Sequence, residues 1–204
     1  MYAYTSNNPV MRVDPSGYLW KEIWDWCNTL WGTVSNVTAK VIVVTIAIET
    51  AMVQGRWDDL AHDWENGSFN PFNQSEKVAL DSKVISFYKG SLVVRQNILD
   101  GYFSIGGTVF LNSNTSYSSD DLNHEWGHSI QERILGKRYF ANIAIPSVLN
   151  YHFGSGPYYS KPWERTADWF GGVNRGNYVD GSLGWGIAYF ILGPFVLVPY
   201  YLTD

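Results

Sequence analysis

The stretch Ser118-Ser119-Asp120-Asp121-Leu122-Asn123-His124-Glu125-Trp126-Gly127-His128 sets a His-Glu-x-x-His pattern just inside a helix start. Ser118 and Ser119 are good N-caps, and Asp120 and Asp121 place negative charge where the helix dipole favours it. Positions i and i+4 share a helix face, so His124 and His128 direct two imidazoles at one point. Two imidazoles suit a divalent transition metal, most often zinc. Glu125 lies about a quarter-turn further round, beside the metal position, where a carboxylate can take a proton from water. Leu122, Trp126, Ile130 and Ile134 recur every four residues as an apolar stripe, with the histidines on roughly the opposite side. Gly136 follows as a C-cap. The pattern predicts a helix with one side packed on a core and the other facing a cleft. The competing explanation is a chance match with two surface histidines.

At 204 residues the chain suits one domain with an irregular N-terminal extension, and 46% hydrophobic residues suffice for a sizeable core. Aromatic residues make up 17%, enough to line clefts or membrane interfaces as well as fill a core. A net charge of -5 gives a nucleic-acid partner no electrostatic support. The single cysteine, Cys27, excludes an intrachain disulfide and a cysteine-held zinc. The start of the chain lacks a basic region followed by an apolar run, so no signal peptide is expected and the compartment is not set.

Residues 1–18 contain Tyr2-Ala3-Tyr4-Thr5-Ser6-Asn7-Asn8-Pro9 and Asp14-Pro15-Ser16-Gly17, a run of turn signals too short to bury a core. This run resembles the closing signature of the RHS-repeat-associated core, Y-x-Y-x-x-N-N-P followed by D-P-x-G. The resemblance implies that residues 1–18 are the end of an RHS core. Residues 19–204 would then be the variable C-terminal domain, often a toxin, of a bacterial RHS-type polymorphic toxin delivered as an effector. The RHS shell of the parent protein would be a partner.

Within 19–204 three parts are expected: a helical N-terminal part over 19–75, a catalytic core over 76–182 and an apolar C-terminal segment over 183–204. Residues 19–31 have helical apolar spacing, and 37–53 read as a buried helix, with a strand as the alternative. Trp57, Leu60, Ala61 and Trp64 suggest a short helix, and His62 reads as a surface histidine. Residues 83–96 read as two strands joined at Lys89-Gly90, and 102–112 as another strand with a bulge or close approach at Gly106-Gly107. His152, in a loop rich in Gly, Tyr and Pro, is a candidate third ligand or oxyanion stabiliser, or neither. Residues 183–202 carry no charge and are long enough to span a bilayer, but Gly184, Gly186, Gly193, Pro194 and Pro199 interrupt them. A buried helix with an extended tail is the expectation, and membrane contact through 183–202 the alternative.

A second helix is expected from Ser160, with Pro162 in its first turn and Gly171-Gly172 at its end. Glu164 and Asp168, four apart, share a face, where like charges repel mildly unless a cation or an imidazole lies between them. The pair resembles the gluzincin pattern, in which E-x-x-x-D supplies a third zinc ligand and an aspartate orienting the first histidine. That resemblance implies Glu164 as ligand and Asp168 as the partner of His124. It also implies an edge strand next to the active helix that aligns an extended peptide, here residues 106–111, with an ordinary core strand as the alternative. The wider run from Phe87-Tyr88-Lys89-Gly90 through the His-Glu-x-x-His motif to Pro162-Trp163-Glu164 and Gly171-Gly172-Val173 is similar to a metallopeptidase-like domain at the C-termini of RHS proteins.

The expected fold is α+β and zincin-like: a small, mainly antiparallel sheet packed against the motif helix and the glutamate-bearing helix. The expected function is zinc-dependent hydrolysis of peptide bonds in a peptide or protein substrate. His124, His128 and Glu164 bind Zn2+, and Glu125 is the general base. Tyr158, Tyr159 or His152 stabilises the oxyanion. The alternatives are a membrane-active module with a structural or degenerate metal site, and a non-catalytic binding domain.

Overall fold

The computed structural model describes residues 37–97, 101–136, 138–176 and 183–192. The RHS-like stretch, the expected helix over 19–31 and the tail beyond 192 lie outside these residues. The chain divides after Val41 into two units, and the second is described here. Among the described residues the fold is α+β, with seven α-helices and one four-stranded sheet.

The helices are α1 (37–53), α2 (Trp57–Glu65), α3 (Glu76–Asp81), α4 (Ser119–Leu135), α5 (Ile145–Phe153), α6 (Pro162–Gly171) and α7 (Leu183–Leu192). The strands are β1 (Ile85–Tyr88), β2 (Ser91–Gln96), β3 (Phe103–Ile105) and β4 (Thr108–Asn112), in the order β1-β2-β4-β3. The outer pairings are antiparallel and the central one, β2 with β4, is parallel. The sheet is therefore mixed.

Both hairpins turn where the sequence provides positive φ. Lys89 and Gly90 join β1 to β2, and Gly106 and Gly107 join β3 to β4, the conformation that two-residue hairpins need. Gly106-Gly107 is thus a turn between two strands and not a bulge within one. This corrects the edge-strand expectation for 106–111. β4 pairs on both sides, so its backbone groups are already taken and cannot accept an added strand. The strand at that edge of the sheet is β3.

Side chains alternate across the strands, so each sheet face has its own cluster. Tyr88, Val93, Val109 and Leu111 pack with Ala79 of α3 and Leu122 of α4. Ile85, Leu92 and Val94 pack on the other face with Val84 and Ala51. Helix α1 offers that face only Val43, Val44, Ala47 and Ala51, the stripe at helical spacing. Ile42, Ile46 and Val53 remain exposed. The segment is helical as expected, but not buried, because the sheet covers only one side of a helix that carries apolar residues on more than one face. Asp63 of α2 is fully buried and accepts backbone N–H bonds from Lys83, Val84 and Ile85 at 2.6, 2.6 and 2.8 Å. These bonds fix the start of β1.

Helix α4 begins with a reciprocal capping box between Ser118 and Asp121 and ends at Gly136. Its supposed apolar stripe is not its buried side. Leu122 is buried, but Trp126 and Ile130 are half-buried and Ile134 is exposed. Trp126 instead clasps the β1–β2 turn, donating Nε1–H to the Lys89 carbonyl at 3.1 Å. Glu132 holds the β3–β4 turn, accepting from the backbone N–H of Gly106 and Gly107 at 2.9 and 2.8 Å. The face with His124, Gly127, His128 and Gln131 is buried and packs on α6. A Cβ on Gly127 would lie 2.0 Å from the Ala167 carbonyl oxygen, and one on Gly171 would lie 2.3 Å from that of Asn123. Polar burial of this kind is invisible to an apolar count.

The segment after α4 is also more helical than expected. A π-helical stretch, Phe140–Ala144, runs into α5, whose first turn holds Pro146. Pro146 cannot donate to the carbonyl of Asn142 four residues earlier, and that carbonyl accepts from the Tyr189 hydroxyl of α7 at 2.5 Å. His152 therefore sits in the last turn of α5, exposed, and not in a loop. Tyr189 itself is buried with Tyr139, Ile143 and Trp163. Helix α7 has ten residues, and no described helix is long and apolar enough to cross a membrane.

Gly127→Ala is expected to destabilise the fold by about 3 kcal/mol, since the added methyl meets backbone that cannot move independently. Chemical denaturation of parent and variant measures this. A loss below about 1 kcal/mol would show that the α4–α6 crossing is loose.

Candidate metal centre

The α4–α6 crossing brings three ligand atoms together. Glu164 Oε2 lies 3.1 Å from His124 Nε2 and 3.2 Å from His128 Nε2, and all three side chains are buried. Bonds of 2.0–2.1 Å arranged tetrahedrally separate ligand atoms by about 3.3 Å, the spacing Glu164 has to each histidine, and the three ligand atoms lie within 4.8 Å of one another, a group that could hold a metal ion. Glu164 is on α6, one turn from Asp168, as the helical spacing predicted.

The rings are aimed by their other nitrogens. His124 Nδ1–H donates to Asp168 Oδ1 at 2.6 Å and His128 Nδ1–H to Gln131 Oε1 at 2.7 Å. With Nδ1 committed to these acceptors, Nε2 is the nitrogen each ring would turn to a metal on losing its second proton. Gln131 is locked in turn, donating Nε2–H to the Trp163 carbonyl at 2.8 Å and to Thr166 Oγ1 at 2.7 Å. That fixes which end of its amide faces His128. Glu164 uses its second oxygen, Oε1, to accept from Ser147 Oγ at 2.6 Å, leaving Oε2 for the two rings.

Charge in this buried space is strongly coupled. Burial disfavours a cationic His124, but Asp168 and Glu164 outweigh it and push its pKa up to about 10 in the metal-free protein. His128 is also raised: burial opposes, and the Glu164 carboxylate prevails. Glu164 is held well below the usual carboxylate range, since the two imidazoles overcome the penalty of burial. Glu125 moves the other way, raised by burial although both histidines favour its charge. Its Oε2 is buried and makes no hydrogen bond. In a network where its neighbours are satisfied, that oxygen is the acceptor left for a ligand.

Of the other candidates, Tyr158 and Tyr159 adjoin the cluster and His152 is absent from it. The Tyr158 hydroxyl bonds Ser147 Oγ at 2.6 Å, and burial together with the Glu164 charge pushes its pKa far up. Tyr159 sets its ring edge-on to His124, 5.2 Å between centroids, and its hydroxyl meets that of Tyr102 at 3.4 Å. Sequence reasoning missed three contributors. Gln131 lies three positions after His128 on the same helix face, a spacing that could have revealed it. Ser147 and Arg175 carry no such signal. The Arg175 guanidinium lies 3.7 Å over the Tyr159 ring and donates Nε–H to both Asp168 oxygens at 3.2 and 3.3 Å.

No protein-family model, curated protein or solved structure matches the chain.

Glu164→Ala is expected to weaken metal affinity by at least about tenfold, and more than Asp168→Ala or Gln131→Ala, because it removes an anionic ligand and not an orienting partner. Competition against a chromogenic chelator ranks the three.

The His124 pKa gives a pH signature. Its ring rises on folding from an ordinary value of about 6.5 to about 10 in the metal-free protein. Holding that proton stabilises the metal-free fold fully below about pH 6.5, and the contribution is lost as pH rises towards 10. A bound metal replaces the proton and removes this decline. The gap in melting temperature between metal-loaded and chelator-treated protein is expected to widen from pH 6 to pH 9 by calorimetry. A constant gap would exclude the coupling.

Proposed function

We propose that the chain is a zinc-dependent metallopeptidase hydrolysing peptide bonds. The observation that carries this reading is the convergence of His124 Nε2, His128 Nε2 and Glu164 Oε2 beside the unpaired Oε2 of buried Glu125. A two-imidazole, one-carboxylate donor set is the composition that favours zinc and leaves a fourth position open. Zinc held there would supply Lewis acidity, acidifying water and polarising the scissile carbonyl.

The chain's own residues do the rest. Glu125 takes the proton of the attacking water at Oε2 and delivers it to the leaving amine. Its raised pKa brings it nearer to the operating pH, where a general base works best. Asp168 and Gln131 keep both imidazoles in the tautomer a metal needs. Tyr158 is the side chain we assign to the developing oxyanion. It keeps its proton, since its pKa is far above the usual value, and its hydroxyl is one serine away from Glu164. His152, exposed on α5 and outside the ligand cluster, is given no role there.

The α4 and α6 arrangement over a mixed sheet supports a zincin-like reading of the fold, with β3 and not β4 as the edge available to an extended substrate. The RHS-type signature in residues 1–18 is the ground for reading the peptidase as the effector domain of a polymorphic toxin.

Glu125→Gln is expected to keep its metal and its fold while losing about 10²–10⁴-fold in peptidase rate, because the amide cannot accept a proton. Metal content, a melting curve and the rate on a casein-derived peptide library are measured together for parent and variant. A parent that binds zinc stoichiometrically and cleaves no peptide would identify a non-catalytic binding domain. An active, fully loaded variant would remove Glu125 as base.

A further inference from the structure

At the carboxyl ends of the parallel strands β2 and β4 lies a pocket of about 510 Å3 that shares no lining residue with the metal centre. Arg56, Lys83 and Arg95 give its wall three positive charges, and Asp59 is the one carboxylate among the lining residues. That carboxylate is already spent on Arg56, which donates Nε–H to it at 2.7 Å. Lys83 and Arg95 have no anion in the pocket. The carboxylates that act on Arg95 from outside are engaged elsewhere: Asp63 with three backbone N–H groups, Asp81 with His62.

Two buried polar atoms of the lining residues, Arg95 Nε and Ser113 Oγ, make no hydrogen bond, while the Tyr117 hydroxyl interacts with its neighbours Thr115 and Arg95. Arg95 is otherwise held in place, donating to the Leu80 carbonyl at 2.5 Å and lying 4.8 Å over the Tyr117 ring. A fixed guanidinium with a spare N–H is a preorganised receptor for an oxyanion. Unpaired buried donors gathered in one place call for an acceptor-rich ligand. Two uncompensated cations match a dianion better than a carboxylate, and they repel an amine.

We infer that this pocket binds a phosphate group, carried by a small organic monoester. A phosphate monoester has terminal oxygens enough for Lys83, Arg95 and Ser113 together. The remaining space is within the range that holds whole organic ligands and exceeds what a free ion needs.

The test is calorimetric titration of the full chain with inorganic phosphate and with phenyl phosphate, before and after chelator treatment. Both are expected to saturate with Kd below about 1 mM, the ester more tightly. Lys83→Gln and Arg95→Gln are each expected to weaken binding by at least about tenfold. Lys83 is exposed, so its variant keeps the test valid even if Arg95→Gln fails to fold. No saturation by about 10 mM, or an unchanged affinity in Lys83→Gln, overturns the proposal. So does binding that disappears with the metal, since that would place phosphate on His124, His128 and Glu164 instead.

Discussion

The contact on which the centre depends is the crossing of α4 and α6 at two glycines. Gly127 faces the Ala167 carbonyl and Gly171 faces that of Asn123, with no room for a Cβ at either. Side chains that would hold the helices further apart are missing at both points. The backbones therefore come close enough for one carboxylate oxygen of α6 to touch two imidazoles of α4. Larger residues at these positions would open the ligand triangle beyond metal-bond reach. The motif's second variable position is thus a packing position as much as a spacer.

That close approach buries polar groups, and burial is tolerable only because nearly all are paired. Each histidine has its own orienting acceptor, Asp168 or Gln131, and Gln131 is itself pinned by Trp163 and Thr166. Ser147 reaches in from α5 to take the remaining oxygen of Glu164. A satisfied network of this kind is rigid and specifies one geometry, whereas a half-satisfied one would destabilise the core. The Oε2 of Glu125 stands out against it as the site's unpaired acceptor. The same logic, applied to the far end of the sheet, singles out the pocket around Arg95.

The sheet serves as the frame on which α4 is hung. Both hairpin turns are fastened to α4, one through Trp126 and the other through Glu132. Their glycines supply the turn geometry and, at Gly106 and Gly107, the two N–H groups that Glu132 receives. The strands thereby fix the position of the histidines indirectly, and the parallel β2–β4 pair leaves its carboxyl ends open on another part of the surface.

The sequence by itself determined what is local. The span of α4 and its caps, α6 with Pro162 near its start and Gly172 after its end, and the Lys89-Gly90 turn follow from capping, proline and glycine rules acting within a few residues. The pairing of His124 with His128, and of Glu164 with Asp168, follows from helical spacing alone. Tertiary structure decided the rest. Which side of α4 is buried depended on a partner helix, and polar burial leaves no hydrophobic period to detect. Which strand forms the edge depended on β4 joining β2 in parallel, a pairing between segments that strand periodicity does not specify. Ser147 and Arg175 reach the centre from α5 and from the segment after α6, and His152 is carried away on α5. Residues far apart in the chain meet only through packing, and no spacing rule records which of them will.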